Sequence, residues 1–272
     1  MVAPLTSDDA RTIGPYQLLG ELGRGGLGHV FLGRSASGRN VAVKVIRDEL
    51  AGDPWFRARF RAEVDAARKV SGAFVAPVID ADLDADVPWL ATAYVDGLTL
   101  AEAIREHGPV PARTLLTLAS GLAEGLGVIH AAGVVHGNLH PSNVLLAEAG
   151  PQVTDFGIRR AAVASGLSGA GFSSPEFLSP EQALGDDTGP PSDIFSLGAV
   201  LIFAYMGHGP FGSGTSSGPR SPPPGRSAEP SSSLWSTRIW TATYRGWRRR
   251  TSTAPRWPRR SASAGRYPPR PC

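Results

Sequence analysis

The chain has very little cysteine and no long apolar run. Its single cysteine, Cys272, is the last of 272 residues, which excludes an internal disulfide and gives no sign of an oxidising compartment. Residues 1–13 have no apolar core, which predicts that they are not a signal peptide. The longest apolar run, 194–206, is shorter than the roughly 20 residues that span a bilayer. These absences predict a cytoplasmic protein without a membrane span.

Lysine is also scarce, and the charge is unevenly distributed. Only Lys44 and Lys69 among the 27 basic residues are lysines. From residue 213 onward the chain has twelve arginines and one acid, Glu229. Because the net charge of the whole chain is +3, this tail carries +11 and residues 1–212 carry −8. The tail is rich in serine and proline and has no helical or strand period, so we predict that 213–272 is disordered.

The order of the predicted elements indicates the fold class. Short β-rich runs between glycine-containing turns predict strands at 16–22, 29–33, 40–46, 76–79 and 89–93. Apolar spacing and capping signals predict helices at 53–70, 100–107, 111–132 and 192–205. Strands followed by helices predict an α+β fold with two lobes. We place a small β-rich N-lobe at 15–95 and a helical C-lobe at 96–212, preceded by a disordered segment, 1–14.

Two neighbouring motifs in the N-lobe favour phosphate binding. The run Gly-Arg-Gly-Gly-Leu-Gly occupies 23–28, and glycines allow backbone amides to close over a phosphate without side-chain clashes. Taken alone, this run is equally compatible with an ordinary glycine-rich hairpin. The sequence Val-Ala-Val-Lys, ending at Lys44 on the third predicted strand, strengthens the phosphate hypothesis, since the chain has only one other lysine.

The C-lobe carries four further motifs at regular positions. His-Gly-Asn-Leu-His-Pro-Ser-Asn occupies 136–143, and Asp155-Phe156-Gly157 begins 12 residues after its end. Ser179-Pro180-Glu181 comes 24 residues after Asp155, and Ser-Asp-Ile-Phe-Ser-Leu-Gly occupies 192–198. In this order and spacing, the chain resembles the Hanks-type serine/threonine protein kinases, most closely the bacterial branch. The resemblance covers residue 15 to about residue 211.

The resemblance implies that ATP and Mg²⁺ bind between the lobes. Glu63 would orient Lys44 by an ion pair, with Asp65 as the less favoured partner. Asn143 and Asp155 would hold Mg²⁺, and Asp193 would anchor the loop that contains His136. The residues implied to contact or orient ATP are Leu22, Gly23, Gly25, Gly28, Val30, Ala42, Lys44, Glu63, Thr92, Ala93 and Val95.

The catalytic loop departs from the family at three positions. Asn138 stands where the family has its catalytic aspartate, and an amide is too weak a base to accept a proton near neutral pH. His140 replaces a lysine that would neutralise the γ-phosphate, and Gly137 replaces an arginine that would grip a phosphorylated loop. Glu176 adds a further negative charge where relatives usually have glycine. These changes predict impaired or absent phosphoryl transfer.

The tail is a second departure, because nothing in 213–272 resembles the helices that complete a kinase C-lobe. We predict an incomplete C-lobe, with a frameshift near residues 212–218 as one hypothesis for the origin of the tail. A genuine tail could instead bind nucleic acid or another anionic surface through its arginines and tryptophans. It could also fold back on the acidic body.

Three functional hypotheses therefore remain open. The first is a nucleotide-dependent regulatory or binding module for a protein partner, in which phosphoryl transfer is impaired or absent. The second is a slow serine/threonine kinase that acts on a protein substrate. The third is a decayed gene product without a function. The sequence does not identify a substrate, a partner or a signal.

Overall fold

A computed structural model of the chain describes residues 2–6, 9–157 and 175–211. Within these residues, the N-lobe is built on a six-stranded antiparallel sheet with the spatial order β1-β2-β3-β4-β6-β5. Its strands are β1 (Thr12–Ile13), β2 (Tyr16–Gly25), β3 (Gly28–Arg34), β4 (Asn40–Ile46), β5 (Val78–Asp82) and β6 (Trp89–Ala93).

The alternation of side chains along β4 gives the sheet two different faces. Val41 and Val43 are buried on one face, in the same apolar cluster as Trp89. Ala42 and Lys44 lie on the other face, because neighbouring residues of a strand point to opposite sides. The following helices are α1 (Asp48–Ala51) and α2 (Pro54–Ala67), and the fully buried Phe56 and Phe60 of α2 pack against Ile46 and Leu90. Each of these two rings contributes about 1.5–3 kcal/mol by burial.

The C-lobe combines helices with a three-stranded sheet. Its helices are α3 (Leu100–His107), α4 (Ala112–Ala131), α5 (Pro180–Leu184) and α6 (Pro190–Met206), and its sheet consists of β7 (Gly97–Thr99), β8 (Val144–Ala147) and β9 (Gly150–Val153). Helix α4 is long and apolar enough to meet a length-and-hydropathy test for a membrane span. However, Leu118, Leu122, Leu126 and Ile129 of α4 are buried in the lobe, as expected for a core helix.

Most predicted elements are confirmed within a few residues, and the predicted two-lobed α+β fold is confirmed. Asp53 caps α2 as expected, because its side chain accepts a hydrogen bond of 2.9 Å from the Trp55 amide. The predicted strand at 76–79 begins later, at Val78, because the Val75 backbone forms a parallel bridge to Val153 and the Ala76 amide bonds the Val153 carbonyl.

The N-terminal segment differs from the prediction. Residues 2–6 and 9–13 were expected to be disordered, but they lie along the N-lobe sheet. Thr12 and Ile13 form β1, and Ala3 pairs with Glu21 of β2. The reason is that Leu5 and Ile13 supply apolar side chains that pack against the buried cluster around Tyr16 and Trp89. The predicted tail, 213–272, lies outside the described residues.

Candidate functional site

A cleft of about 1040 Å³ lies between the β2–β3 hairpin above and the loop containing Asn138 below. This volume is at the upper end of the range for small-molecule sites. Of the sixteen predicted site residues, fourteen line the cleft, and Glu63 and His136 do not. The cleft therefore brings together the motifs that were singled out from the sequence. The fourteen are Leu22, Gly23, Gly25, Gly28, Val30, Ala42, Lys44, Thr92, Ala93, Val95, Asn138, His140, Asn143 and Asp155.

The glycines of the β2–β3 hairpin have two different reasons to be glycine. Gly28 has φ of 151°, and a Cβ atom there would overlap the carbonyl oxygen of Val45 on β4. This glycine is therefore required by the fold itself. Gly23 and Gly25 have nothing within 4 Å of an added Cβ, so they leave open space at the roof of the cleft. That space is where a bound phosphate would approach the backbone amides.

The ion pair of Lys44 differs from the predicted one. The Lys44 ammonium lies 2.6 Å from Oδ1 of Asp155, and among the described residues it forms no ion pair with Glu63 or Asp65. The Glu63 carboxylate instead lies beside Gly157, 3.4 Å from where a Cβ atom there would stand. Asp155 reaches Lys44 because its backbone has φ of 61°, in the left-handed region.

The electrostatic surroundings of Asp155 keep its carboxyl group ionised. Burial acts to raise the pKa of Asp155, but the Lys44 ammonium attracts the carboxylate and hydrogen-bonds it. These two effects of Lys44 outweigh burial, and the pKa is lowered overall. The Asp155 side chain is still 32% exposed. A negative oxygen ligand is thus available in the cleft near neutral pH.

Asp193 anchors the loop below the cleft, as the sequence predicted. Its side chain is 1% exposed and accepts hydrogen bonds of 2.8 Å from the backbone amides of His136 and Gly137. His130 Nε2 lies 2.7 Å from Oδ2 of the same carboxylate. The buried Asp193 carboxylate, at the start of α6, therefore holds the His130 side chain of α4 and two backbone amides of the loop.

Hydrogen bonds hold the backbone around Asn138. The Asn143 side chain donates to the Asn138 carbonyl oxygen at 2.8 Å, and the Thr154 amide donates to the Asn143 carbonyl at 3.0 Å. The Gly157 amide donates to the His136 carbonyl at 3.1 Å. These bonds connect the segment 136–143 with the segment 154–157, so the positions of Asn138, Asn143 and Asp155 depend on each other.

The two histidines of this loop have different positions. The His136 ring is fully buried, and burial lowers its pKa, which keeps the imidazole neutral. Nδ1 of His136 accepts from the Asn138 amide at 3.3 Å, so its proton resides on Nε2. His136 was grouped with the catalytic residues, but it does not line the cleft. His140 does line the cleft, and its Nδ1 accepts from the Ser142 amide at 3.3 Å.

Gly137 adopts a backbone conformation that favours glycine. Its φ is 70°, and its carbonyl oxygen accepts a hydrogen bond of 2.7 Å from the Gln182 side chain of α5. Glu181 of α5 accepts a hydrogen bond from the Ser192 hydroxyl, which lowers the pKa of Glu181. The loop, α5 and α6 thus form one connected unit below the cleft. Glu176, predicted to add charge near the peptide-binding region, lies against Gly209.

Several cleft residues were not predicted from the sequence. Tyr94 stands between two predicted residues, Ala93 and Val95, and could have been inferred from them. Burial raises the pKa of the Tyr94 hydroxyl, with the nearby Asp96 acting in the same direction. Val2 reaches the cleft from the N-terminal segment, and no sequence signal pointed to it. The other unpredicted lining residues include Asp96, Leu98, Glu102, Leu145 and Glu148.

Comparisons with known proteins agree with this arrangement. Residues 16–220 match the family described as protein kinase domain. The serine/threonine-protein kinase AfsK of Streptomyces coelicolor is 53% identical over 220 residues, which cover 78% of this chain and 27% of AfsK. The serine/threonine-protein kinase PknB of Mycobacterium tuberculosis is 36% identical over 206 residues, covering 72% of this chain and 33% of PknB.

A solved structure shares the fold. The crystal structure of the Mycobacterium tuberculosis PknI kinase domain superposes with a TM-score of 0.63 at 25% sequence identity, over 79% of this chain and 82% of that one. The chain spans about a third or less of the length of the curated relatives it matches. The family match and these similarities together show that the chain belongs to the protein kinase domain family, within the bacterial Hanks-type serine/threonine branch.

Proposed function

We propose that this chain binds ATP with Mg²⁺ in the cleft and acts in signalling as a regulatory or binding module with impaired or absent phosphoryl transfer. The observation that carries this proposal is Asn138, which lines the cleft at the position of the family's catalytic aspartate. The Asn143 side chain donates a hydrogen bond to the Asn138 carbonyl, which supports an ordered loop around Asn138. The replacement of aspartate by asparagine therefore alters the chemistry of one side chain and leaves the loop in place.

The arrangement of the cleft supports a bound nucleotide. The open space at Gly23 and Gly25 would admit the phosphates, with Lys44 as their cationic partner. The adenine would lie deeper, between Ala42 and Leu145, beside the backbone that follows Thr92. In this binding mode Lys44 would exchange part of its contact with Asp155 for the phosphates.

The polar residues of the cleft also fit Mg²⁺. This cation prefers oxygen ligands and is held in kinase-type sites by one or two protein side chains together with phosphate oxygens. Asp155 supplies a carboxylate whose pKa is lowered, and the Asn143 amide nitrogen already donates to Asn138, which directs its oxygen to other contacts. When bound, Mg²⁺ would neutralise charge that develops on the phosphates.

Asn138 limits the reaction because its amide does not take the proton of an attacking hydroxyl. A general base contributes typically ~10²–10⁴-fold to the rate. His140 adds a second deficit. A histidine is mostly neutral near pH 7, so it supplies less positive charge to the γ-phosphate than the lysine that it replaces. Positioning and metal binding remain, and they supply most of phosphoryl-transfer catalysis.

A slow serine/threonine kinase is the second candidate. The observation in its favour is the bonded frame around Asn138: Asp193 accepts from the Gly137 amide, Asn143 donates to the Asn138 carbonyl, and Asp155 pairs with Lys44. Its relatives AfsK and PknB are serine/threonine-protein kinases. Under either candidate the macromolecular partner would be a protein, as substrate or as regulatory target, and we expect the protein to act in the cytoplasm, where ATP is available. Binding to nucleic acid or to another anionic surface would involve only the basic tail, 213–272.

We also propose that the C-lobe is incomplete. This is supported by apolar side chains on α6 and just beyond it that are exposed in the described structure, where further helices of a kinase lobe would cover them. Ile194 is 55%, Tyr205 57% and Phe211 68% exposed. The frameshift hypothesis is tested by translating the gene in its other two frames. A helical continuation in one of them would support the hypothesis, and its absence would reject it.

The functional proposal is tested by measuring phosphate transfer from γ-labelled ATP to a generic protein substrate. We would compare the wild type with Asn138→Asp and with Lys44→Ala, which removes the phosphate contact. The module hypothesis predicts that the wild type does not exceed Lys44→Ala. The slow-kinase hypothesis predicts a measurable wild-type rate that Asn138→Asp raises by ~10²–10⁴-fold. Failure of the wild type to bind ATP at all would reject both.

A further inference from the structure

The N-terminal residues 2–6, which we name the strap, lie along the roof of the cleft. Ala3 pairs with Glu21 in antiparallel fashion, and each residue donates its amide to the carbonyl of the other at 2.8 Å. The pairing lies beyond β1, on the edge of β2 that faces away from β3. The strap thus adds one bridge to the edge of the sheet, two residues before Gly23 of the glycine hairpin.

Three further contacts fasten the strap. Leu5 packs against the buried cluster of the upper sheet face. The amide and hydroxyl of Thr6 both donate to Asp9 Oδ2, at 2.7 and 2.9 Å. A Cβ atom at Gly20 would overlap the Val2 side chain and lie 2.6 Å from the Ala3 carbonyl oxygen. The absence of a side chain at Gly20 therefore makes room for the strap.

The strap is connected to the glycine hairpin through Glu21. The Glu21 side chain is only 11% exposed, and it accepts two hydrogen bonds from Arg24, at 2.5 and 2.9 Å. His29 Nδ1 lies 3.5 Å from the same carboxylate. Arg24 and His29 stand opposite each other on the two strands of the hairpin. Glu21 therefore holds the hairpin with its side chain and the strap with its backbone, while Val2 itself lines the cleft.

We infer that the strap is a positioning element of the nucleotide site: it holds Glu21, and through Glu21 it keeps the glycine hairpin closed over bound phosphates. This inference rests on the proposed binding of ATP in the cleft. The alternative is that the strap only adds stability to the sheet. The two differ in one measurable respect, because only a positioning element changes nucleotide affinity in a protein that remains folded.

The test uses Ala3→Pro in the full chain, since proline removes the amide that bonds Glu21. The matched control is Ala36→Pro. Ala36 is exposed and follows Ser35, whose carbonyl accepts the Gly38 amide at 2.9 Å, in a turn position that favours proline. We expect Ala3→Pro to weaken binding of a fluorescent ATP analogue with Mg²⁺ by about fivefold, mostly through faster dissociation, with Ala36→Pro unchanged.

A second variant, Gly20→Ala, displaces the strap without changing residue 3, and circular dichroism of the unliganded proteins reports on folding. Weaker binding in a folded Gly20→Ala supports the inference even if Ala3→Pro does not fold. Fast amide exchange at Glu21 shows that the strap is released. If both variants then bind the analogue with wild-type affinity, the inference is overturned and the proposed function is left intact. A wild type that does not bind the analogue overturns both.

Discussion

Removing the Asp193 carboxylate should strongly destabilise the C-lobe. In Asp193→Ala the amides of His136 and Gly137 lose their acceptor in a site where the Asp193 side chain is 1% exposed. A buried donor left without a partner costs ~1–3 kcal/mol, so two of them cost ~2–6 kcal/mol, and the lost contact with His130 adds to this. A typical domain has only ~5–15 kcal/mol of net stability. We therefore expect a loss that approaches complete unfolding.

The assay is urea unfolding followed by circular dichroism, with the free energy of unfolding extrapolated to water. Asp187→Ala is the matched control, because Asp187 is an exposed aspartate close to the start of α6. We expect the control to stay within ~0.5 kcal/mol of the wild type, as is usual for surface substitutions. If Asp193→Ala lost no more stability than Asp187→Ala, the argument that this carboxylate holds the loop would be refuted.

Two further predictions concern α4 and Asp155. Gly127→Ala should raise the free energy of unfolding by ~0.5–1 kcal/mol, because this helical position is exposed and an added Cβ meets nothing within 4 Å. Gly125→Ala should lower the free energy of unfolding, since the added Cβ would lie 3.0 Å from the Phe74 carbonyl oxygen. If urea unfolding showed Gly125→Ala to be more stable than Gly127→Ala, this packing would be contradicted. Because the pKa of Asp155 is lowered, its ionised carboxylate stabilises the folded state. This stabilisation is fully present above the ordinary aspartate pKa of about 3.9 and is lost as pH falls through the lowered value. Asp155→Asn should therefore show a shallower loss of stability with acid than the wild type, and equal slopes would count against the ion pair with Lys44.

Much of the fold could be predicted because local signals and tertiary packing agree. The β-rich run 40–46 correctly predicts the strand that carries Lys44, and Asp53 with Pro54 correctly marks the start of α2. The spacing of leucines in α4 predicts the buried stripe of the C-lobe. These elements have one dominant periodicity each, so the sequence alone was sufficient.

The partner of Lys44 could not be predicted in the same way. The sequence offered acids on α2, but the ion pair in the structure is with Asp155, which depends on a left-handed backbone at a residue other than glycine. The strap was missed for a related reason. It is too short for any periodicity, and its place on β2 depends on two backbone hydrogen bonds and on the missing side chain of Gly20.

The central claim, that the cleft binds ATP with Mg²⁺, is tested most directly by thermal unfolding with and without Mg²⁺-ATP. At about 100 times its Kd, the ligand should stabilise the protein by ~2.7 kcal/mol, which corresponds to roughly 5–10 °C for a domain of about 200 residues. Lys44→Ala should lose most of this shift, while Lys69→Ala, at the exposed second lysine, should retain it. A wild type that unfolds at the same temperature with and without Mg²⁺-ATP would contradict the account.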